Sequence, residues 1–369
     1  MCLEAQRKGM VITMKYALIG CGMISKNHIN AALEAGLDIV AFCDLVEQNT
    51  QNALEIVPEE LRKGIKCYTD YRQMLDEFHP DIVAIALGSG LKRKLSIDCM
   101  RAGANVIVEK PIALSLEDAD AMITTAKECN VKLCVCHQLR FVPSVRAMHE
   151  ACQKGDFGKL LHGTVQVRRN RNRAYFDAGK WRGTWAQDGG TLMNQCIHYT
   201  DLLTWCMGTP TEVFAYTDNL AHPYTEAEDM GLALVKFDNG SYGMIEGTIN
   251  TYPKNLNDSM AIFGTEGTAS VSGKFLDEVE RWEFENIPSD LKESVVHYGI
   301  ADRGTGHAPF YKNVAAALEG KEELMTSPED ARAAIELILA IYQSSATGKP
   351  VKLPLEKGAT VDYVGLFDR

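Results

Sequence analysis

Short apolar segments alternate with amphipathic segments through the first third of the chain, and this alternation constrains the fold more than any other feature. The apolar segments are almost uninterrupted, as expected of strands covered on both faces. The alternation predicts parallel strands joined by right-handed helical crossovers, an α/β, doubly wound parallel sheet. The predicted strands are residues 16–20, 38–44, 65–68, 81–87, 104–109 and 131–136, and the predicted helices are residues 25–36, 47–56, 70–78, 91–102 and 116–129.

The pattern changes after about residue 137, where longer strands with alternating polarity replace the short apolar ones. The stretch "FDNGSYG" (237–243) carries an Asn-Gly hairpin signal, so this part is an α+β domain with a mainly antiparallel sheet. We therefore expect domains at 14–136 and 137–369, with 1–13 as an N-terminal extension. The predicted strands lie around residues 160–172, 211–219, 230–237, 242–250, 258–263 and 267–272, and the predicted helices are residues 143–154, 190–206, 309–319 and 327–346.

Composition excludes several classes of protein. A length of 369 residues favours two domains, and 46% hydrophobic with 24% charged residues is ordinary for a soluble protein. The net charge of −11 argues against nucleic-acid and anionic-membrane partners. The 11 cysteines lack paired-ligand spacing, which indicates reduced thiols in a cytoplasmic protein. No apolar run approaches the roughly 18 residues of a membrane span.

A glycine-rich turn follows the first predicted strand and opens a helix. Gly20, Gly22 and Ser25 form a G-x-G-x-x-S pattern, which lets backbone N–H groups approach a pyrophosphate at a helix N-terminus. Asp44 ends the second strand, near the spacing expected of a ribose-binding acid, and its carboxylate would repel a 2′-phosphate. The pattern predicts a Rossmann domain that binds NAD rather than NADP. The alternative is a structural turn with a surface aspartate.

The stretch "NVIVEKPIAL" (105–114) carries a lysine to the end of an apolar strand. Parallel sheets bind ligands beyond the carboxyl ends of their strands, so Lys110 should lie on the same side as the nucleotide turn. Pro111 restricts the backbone directly after it. Lys110 is therefore a candidate catalytic residue, and the alternative is a snorkelling lysine at a strand edge.

A second polar cluster lies in "DGGTLMNQCIHYTDLLTW" (188–205). On a regular helix Asn194, His198 and Asp201 form one polar stripe among apolar residues, and such a stripe needs partners or a cavity. A histidine can accept a proton near neutral pH, and Asn194 could orient it or the substrate. A hydrogen-bonded core histidine is the alternative. We expect no metal, because no third ligand lies near His198 and Asp201 in the sequence.

Together these stretches resemble the Gfo/Idh/MocA family of sugar and cyclitol oxidoreductases from Met14 onward. The resemblance rests on "GCGMISKNH", the acid of "FCDL", "EKPIAL", "RFVPSV" (140–145), "GGTLMNQCIH" and "GKPVKLPL" (348–355). It implies that His198 is the base and Lys110 its hydrogen-bonding partner at a substrate hydroxyl beside the nicotinamide. It also implies an open second sheet that pairs across subunits, giving a homodimer or homotetramer. The expected cofactor contacts are Gly20, Gly22, Met23, Ile24, Asp44, Ser89, Glu109 and Lys110.

The chain departs from the family pattern at several positions. It has Asn194 where the family commonly has Asp, which weakens any scheme in which a carboxylate tunes His198. Gly88-Ser89-Gly90 replaces the usual Thr-Pro-Asn turn, and Lys92 lies near the place of a missing histidine. Thr191 and Cys196 stand where Gly is usual. The Asn-Gln-x-x-His form is most similar to the branch that oxidises the 3-hydroxyl of UDP-linked N-acetylhexosamines and their uronates.

A basic run indicates an anionic ligand. Arginine forks suit phosphates and carboxylates, and aromatic rings can stack on sugar faces. An arginine-rich strand at an interface or a solvated edge is the alternative. Arg140 and His307 are pocket candidates from the resemblance alone. The run comprises Arg168, Arg169, Arg171, Arg173, Lys180 and Arg182 with Tyr175, Trp181 and Trp185, and the predicted substrate contacts are Lys110, Arg140, Arg169, Tyr175, Trp181, Arg182, Asn194 and His198.

The leading hypothesis is an NAD-dependent dehydrogenase that oxidises a ring hydroxyl, at C3, of a pyranose sugar or nucleotide sugar. Hydride would pass from the carbinol carbon to nicotinamide C4 as His198 takes the hydroxyl proton. An inositol or simple glucoside is the alternative substrate. A redox-neutral glycoside-cleaving or epimerising enzyme that retains NAD would need an additional base. A non-catalytic NADH-binding regulator needs neither Lys110 nor His198, so their presence argues against it.

Overall fold

The computed structural model describes residues 13–285 and 306–368, so the predicted extension lies outside it except for Thr13. The first sheet has six parallel strands in the order β3-β2-β1-β4-β5-β6, which confirms the predicted doubly wound sheet. Its strands are β1 (Lys15–Ile19), β2 (Asp38–Cys43), β3 (Lys66–Tyr68), β4 (Ile82–Ile85), β5 (Asn105–Glu109) and β6 (Leu133–Cys136). Its helices are α1 (Ser25–Glu34), α2 (Glu47–Ile56), α3 (Tyr71–Phe78), α4 (Lys92–Arg101) and α5 (Leu116–Glu128).

The strand order reverses between β1 and β4, which creates a crevice at their carboxyl ends. All four residues of β4 are buried, and this strand pairs with β1 on one side and β5 on the other. The Gly20 turn follows β1 and the Gly88 turn follows β4, so both glycine turns open onto this crevice.

The second sheet has eight strands in the order β13-β12-β11-β7-β10-β9-β8-β14. Every pair is antiparallel except β7 with β10, so the prediction of a mainly antiparallel sheet is confirmed. Two of these strands, β13 and β14, were not predicted. The strands are β7 (Leu160–Arg168), β8 (Pro210–Asp218), β9 (Met230–Phe237), β10 (Tyr242–Thr248), β11 (Asp258–Gly264), β12 (Gly267–Ser272), β13 (Glu278–Phe284) and β14 (Val351–Lys352).

The later helices join the two sheets. They are α6 (Pro143–Lys154), α7 (Arg173–Asp177), α8 (Ile197–Met207), α9 (His307–Leu318) and α10 (Pro328–Thr347). Helix α9 packs along α1, and α10 packs against α8, β8 and α5. Val106 of the first sheet and Val165 of the second belong to one continuous apolar core, so the two sheets are fixed against each other.

The predicted helix at 190–206 is not regular throughout. Its first turn, Leu192–Cys196, is π-helical and leads directly into α8. Gly189 and Gly190 precede it with φ of 79° and 94°. A side chain on Gly190 would collide with the Glu228 carboxylate, whose Oε1 accepts a hydrogen bond from the Leu192 N–H at 2.7 Å. The wider turn changes the spacing assumed for the polar stripe, and such turns are frequent at functional sites.

Among the described residues, no helix has both the length and the hydropathy needed to cross a membrane.

Candidate active site

The turn after β1 has the geometry of a phosphate cradle. Gly20 has φ of 94°, and a Cβ there would lie 2.6 Å from the Ala86 carbonyl oxygen. Gly22 faces open space, where a Cβ would meet no atom within 4 Å. No side chain caps the first turn of the ten-residue helix α1, although the N–H groups of Ser25 and Asn27 donate to the Gly22 and Ile24 carbonyl oxygens at 3.0 Å. The positive end of a helix therefore adjoins the turn. The turn therefore fits the pyrophosphate of a dinucleotide, with the backbone of Met23 and Ile24 at the helix entry.

Asp44 is held rigidly beside this turn. Its Oδ2 accepts from the Cys21 N–H at 2.8 Å, and its Oδ1 accepts from the Val46 N–H at 2.9 Å and from Asn49 Nδ2 at 3.1 Å. The neighbouring apolar side chains of Met23 and Leu45 are 86% and 87% exposed. A fixed carboxylate beside an exposed apolar rim suits the ribose and adenine of NAD.

Lys110 lies where the sequence predicts, at the carboxyl end of β5. Its Nζ donates to the Asn194 carbonyl oxygen at 2.8 Å and lies 3.4 Å from Asn194 Oδ1, although the two residues are 84 positions apart. Burial lowers the pKa of Lys110, and the charge of Glu109 opposes that shift. The structure thus brings together the two motifs that the sequence analysis singled out separately.

Lys92 supports the backbone on both sides of Lys110. Its buried amine donates to the carbonyl oxygens of Glu109 at 2.5 Å and Pro111 at 2.8 Å. Burial lowers the pKa of Lys92 to about 7. The amine also lies 3.4 Å from the Ser89 hydroxyl, so Lys92 ties the turn after β4 to the end of β5. In the sequence alone, Lys92 is no more than a departure from the family pattern.

Glu109 belongs to a buried polar network under the crevice. His28 Nε2 lies 3.1 Å from Glu109 Oε1, and His307 Nε2 lies 3.6 Å from the same oxygen. Burial favours a raised pKa for Glu109, but hydrogen bonds to both histidines hold that pKa well below its usual range. The ligand atoms of these three residues lie within 4.8 Å of one another. His28 Nδ1 is also 2.7 Å from the Tyr311 hydroxyl, so His28 bridges Glu109 and Tyr311.

His198 is buried on the first turn of α8, with 7% of its surface exposed. Burial lowers the pKa of His198 well below its usual range, and the charges of Lys110 and His137 act in the same direction. The imidazole is therefore neutral at pH 7 and able to accept a proton. Its Nδ1 makes no hydrogen bond to any residue that the structure describes.

His137 lies edge-on to His198, with 5.5 Å between the ring centroids, and sequence analysis missed it. It directly follows β6, and burial lowers its pKa. Its Nδ1 lies 3.6 Å from Asp201 Oδ2. The rule that placed Lys110 beyond the end of β5 applies equally to β6, so this histidine could have been found.

The structure corrects the prediction for Arg140. Its guanidinium is 2% exposed and donates to both carboxylate oxygens of Asp201, at 2.8 and 2.6 Å. It also donates to Asp330 at 2.8 Å and to the Met325 carbonyl oxygen at 2.9 Å. Asp201 is therefore the partner of Arg140 and does not extend a free stripe with Asn194 and His198. This buried ion pair fastens α8 to the segment before α10 and offers nothing to a substrate.

The basic run divides into paired and unpaired arginines. Arg168 pairs with Glu246, Arg173 with Asp177, and Arg169 donates to Asp258 at 2.6 Å and to the Tyr199 hydroxyl at 3.1 Å. Arg169, predicted to bind substrate, is thus already neutralised. The proposed stacking role of Trp185 is wrong, because its ring is fully buried against Tyr342.

Arg182 has no carboxylate partner within the described chain. Its guanidinium carbon lies 4.0 Å from the Tyr175 ring centroid and 4.7 Å from that of Trp181. Arg171 approaches the Tyr175 ring at 5.1 Å. The cavity that Arg171 and Tyr175 line also includes Asn194, so this arginine–aromatic cluster adjoins the Lys110–Asn194 contact.

Comparison with known proteins agrees with this geometry. A family model described as an oxidoreductase family with an NAD-binding Rossmann fold matches residues 14–137, and a GFO/IDH/MocA C-terminal domain model matches residues 145–270. The WlbA dehydrogenase from Bordetella pertussis, whose structure is known in complex with NADH and UDP-GlcNAcA, shares 34% sequence identity with this chain. The two structures superpose with a TM-score of 0.87. That match covers 93% of this chain and 99% of that chain.

Two curated relatives differ in their chemistry. The D-apiose dehydrogenase of Paraburkholderia graminis is 26% identical over 92% of this chain and 89% of its own length. The 2,7-anhydro-N-acetylneuraminate hydratase of Mediterraneibacter gnavus is 28% identical over 70% of this chain and 67% of its own length. A dehydrogenase and a hydratase are therefore both similar to this chain in sequence.

The fold and the site together define an NAD-dependent oxidoreductase, with a dinucleotide turn and a polar centre at one edge of a parallel sheet. The chain belongs to the Gfo/Idh/MocA oxidoreductase family, as its sequence predicted.

Proposed function

We propose that this protein oxidises the 3-hydroxyl of a UDP-linked N-acetylhexosamine or its uronate. The observation that carries the proposal is the contact of Lys110 with Asn194, next to a buried and neutral His198. The likeness to the WlbA dehydrogenase, whose structure contains NADH and UDP-GlcNAcA, supports this choice of substrate.

His198 acts as the base in this proposal. A neutral imidazole accepts the hydroxyl proton, and its position inside the protein excludes bulk water from that transfer. Lys110 donates a hydrogen bond to the same hydroxyl oxygen, and Asn194 holds the lysine amine in place. The Gly20–Asp44 turn would hold NAD, which would supply the hydride acceptor. General acid–base groups placed in this way typically contribute about 10²–10⁴-fold in rate.

Arg182 supplies the attraction for an anionic substrate. An unpaired guanidinium that is stacked on two aromatic rings loses little entropy when it binds a phosphate or carboxylate. The protein as a whole is acidic, with a net charge of −11, so a nonspecific attraction of anions does not explain this feature.

The exposed face of the second sheet supports the expected pairing of subunits. Along β8 and β9, alternate residues leave the side chains of Tyr216, Leu232 and Leu234 47–64% exposed. In the sheet register Leu232 is opposite Tyr216, and Leu234 is opposite Met244 of β10. A contiguous apolar face on one side of an otherwise packed sheet is typical of a protein–protein interface. A second copy of this chain is the partner in this proposal.

A redox-neutral reaction is the second candidate, and His137 is the observation that favours it. That class needs a base in addition to His198, and His137 provides a second buried imidazole beside it. The similarity to a hydratase fits the same candidate.

The first experiment measures NADH absorbance after NAD is added with UDP-N-acetylglucosamine, its uronate, myo-inositol or methyl glucoside. We expect turnover only with the UDP sugars. Turnover with inositol or the glucoside instead would contradict the proposed substrate. If none of the four compounds produces NADH and the purified protein already contains NAD, the redox-neutral candidate would be favoured.

The variant Arg182→Ala tests the anion site directly. We expect KM for the UDP sugar to rise about 10- to 100-fold, the loss typical of a hydrogen bond to a charged group. Arg173→Ala is the matched control, because Arg173 is exposed and already paired with Asp177. If Arg182→Ala and Arg173→Ala change KM equally, Arg182 does not bind the anionic group of the substrate.

A further inference from the structure

Asp188 is a buried carboxylate that the proposed mechanism does not use. It is 5% exposed and lies just before the glycine pair that opens the π-helical turn. Its Oδ2 accepts from the Gly183 N–H at 2.6 Å, and its Oδ1 accepts a short hydrogen bond from Asn194 Nδ2. Its own N–H donates to the Thr184 carbonyl oxygen at 3.0 Å, so both the backbone and the side chain of Asp188 are fixed.

These contacts determine which way the Asn194 amide points. Because the amide nitrogen donates to Asp188, the amide oxygen is the end left toward Lys110, 3.4 Å from Nζ. The reverse orientation would place an NH₂ group against the lysine ammonium and leave Asp188 without its donor. The backbone carbonyl oxygen of Asn194, 2.8 Å from Lys110 Nζ, is the second acceptor that this residue offers to Lys110.

We propose that Asp188 is a positioning residue whose negative charge orients the Asn194 amide and thereby holds the Lys110 ammonium at the reacting hydroxyl. This inference rests on the proposed function, in which Lys110 assists His198. It also explains how a chain with Asn at position 194 keeps the charge of a carboxylate acting on its lysine. The carboxylate lies one side chain further away and acts through the amide.

The charged groups that face Asp188 are Lys110 from β5, Arg182 from the preceding loop and Glu228 from the segment before β9. Burial raises the pKa of Asp188 to about 6, against hydrogen bonds from Gly183 and Asn194 and the charges of Lys110 and Arg182. The ionised form therefore dominates above pH 6, and protonation removes an acceptor from the Asn194 amide. We expect kcat to fall as the pH drops through about 6.

The test compares Asp188→Asn, Asn194→Asp and the double variant that exchanges the two side chains. With UDP-N-acetylglucosaminuronate and NAD, we expect Asp188→Asn to lower kcat about 10- to 100-fold and to abolish the fall of kcat near pH 6. KM for NAD should stay within a few-fold. The double variant restores a carboxylate to the pair, so it should recover most of kcat. Asp177→Asn, an exposed carboxylate in an ion pair, is the matched control.

A second readout does not depend on turnover. In protein labelled with ¹³C at lysine Cε, the Lys110 signal, assigned by its loss in Lys110→Arg, reports the pKa of Lys110. The charge of Asp188 raises the pKa of Lys110, so Asp188→Asn should move this titration to lower pH. If Asp188→Asn shifts the Lys110 titration but the wild type turns over none of the four compounds tested with NAD, the inference would be supported and the proposed function rejected. An unchanged Lys110 titration would overturn the inference, as would wild-type kcat in a folded Asp188→Asn variant.

Discussion

The nucleotide turn and the Lys110–His198 centre lie at the same edge of one sheet, but they are built in opposite ways. The turn is made by residues close in sequence, since the Cys21 N–H reaches Asp44 only 23 positions away. It is open, with Met23 and Leu45 largely exposed. The proposed catalytic centre joins Lys110 to a residue 84 positions away and is buried, and the pKa of both Lys110 and His198 is lowered.

This difference follows from what each site must do. A dinucleotide brings its own charge and large surface, so backbone N–H groups and one carboxylate suffice to bind it. A catalytic imidazole must instead be held in its neutral form, which burial and neighbouring positive charges favour. Residues that are distant in sequence supply those neighbours, so the catalytic centre depends on the packing of both sheets.

Removing Lys110 or His198 should separate the two sites most clearly. We expect Lys110→Ala and His198→Ala to lower kcat by about 10²–10⁴-fold, because in the proposed function each removes a group that acts on the reacting hydroxyl. NAD affinity, measured by calorimetry, should stay within a few-fold of the wild-type value, because the Gly20–Asp44 turn is unchanged. Full activity in either variant would reject the assignment of the centre.

Removing Asp44 should give the converse result. We expect Asp44→Ala to raise KM for NAD about 10- to 100-fold, to leave kcat within a few-fold, and to narrow the preference for NAD over NADP. Asp38→Ala is the matched control, since Asp38 is exposed at the other end of β2. A large fall in kcat with an unchanged KM would show that the two sites are not separable.

The sequence predicted best the structures whose determinants are local. The apolar run that forms β5 was placed within one residue of Asn105–Glu109, and helix α2 matched at both ends. The Gly20 turn and Asp44 were found because their spacing within a βαβ unit is itself the signal. Lys110 was found because its position relative to the strand end follows from the topology of a parallel sheet.

The rest depended on contacts between distant segments. Arg140 was assigned to the pocket because nothing in the sequence reveals that Asp201, 61 positions away, takes its guanidinium. The carboxylate of Asp188 lies only six positions from Asn194, but the π-helical turn that brings them together breaks the regular helical spacing. Trp185 was read as a sugar-stacking ring, although Tyr342 from the distant helix α10 covers it.

Glu228 offers a test of the contrast by stability instead of by activity, because it shows what burial of a carboxyl costs next to the π-helical turn. It is 2% exposed behind the π-helical turn, and its Oε1 lies 2.8 Å from the Tyr342 hydroxyl. Burial raises the pKa of Glu228 to about 8. A folded-state pKa above the unfolded value means that the protonated carboxyl stabilises the fold below about pH 4.5, and this contribution is lost as the pH rises through 8.

We therefore expect Glu228→Gln to flatten the pH dependence of stability. Between about pH 5 and 8, the free energy of unfolding of the wild type should fall relative to the variant by up to ~1.4 kcal/mol per pH unit, because the amide cannot ionise. Urea denaturation at several pH values measures this slope. Glu226→Gln is the control, since Glu226 also accepts from a backbone N–H but is exposed, and it should keep the wild-type slope. If Glu228→Gln also keeps the wild-type pH dependence of the free energy of unfolding, ionisation of the Glu228 carboxyl does not destabilise the fold. Burial would then not distinguish the surroundings of the Lys110–His198 centre from the nucleotide turn.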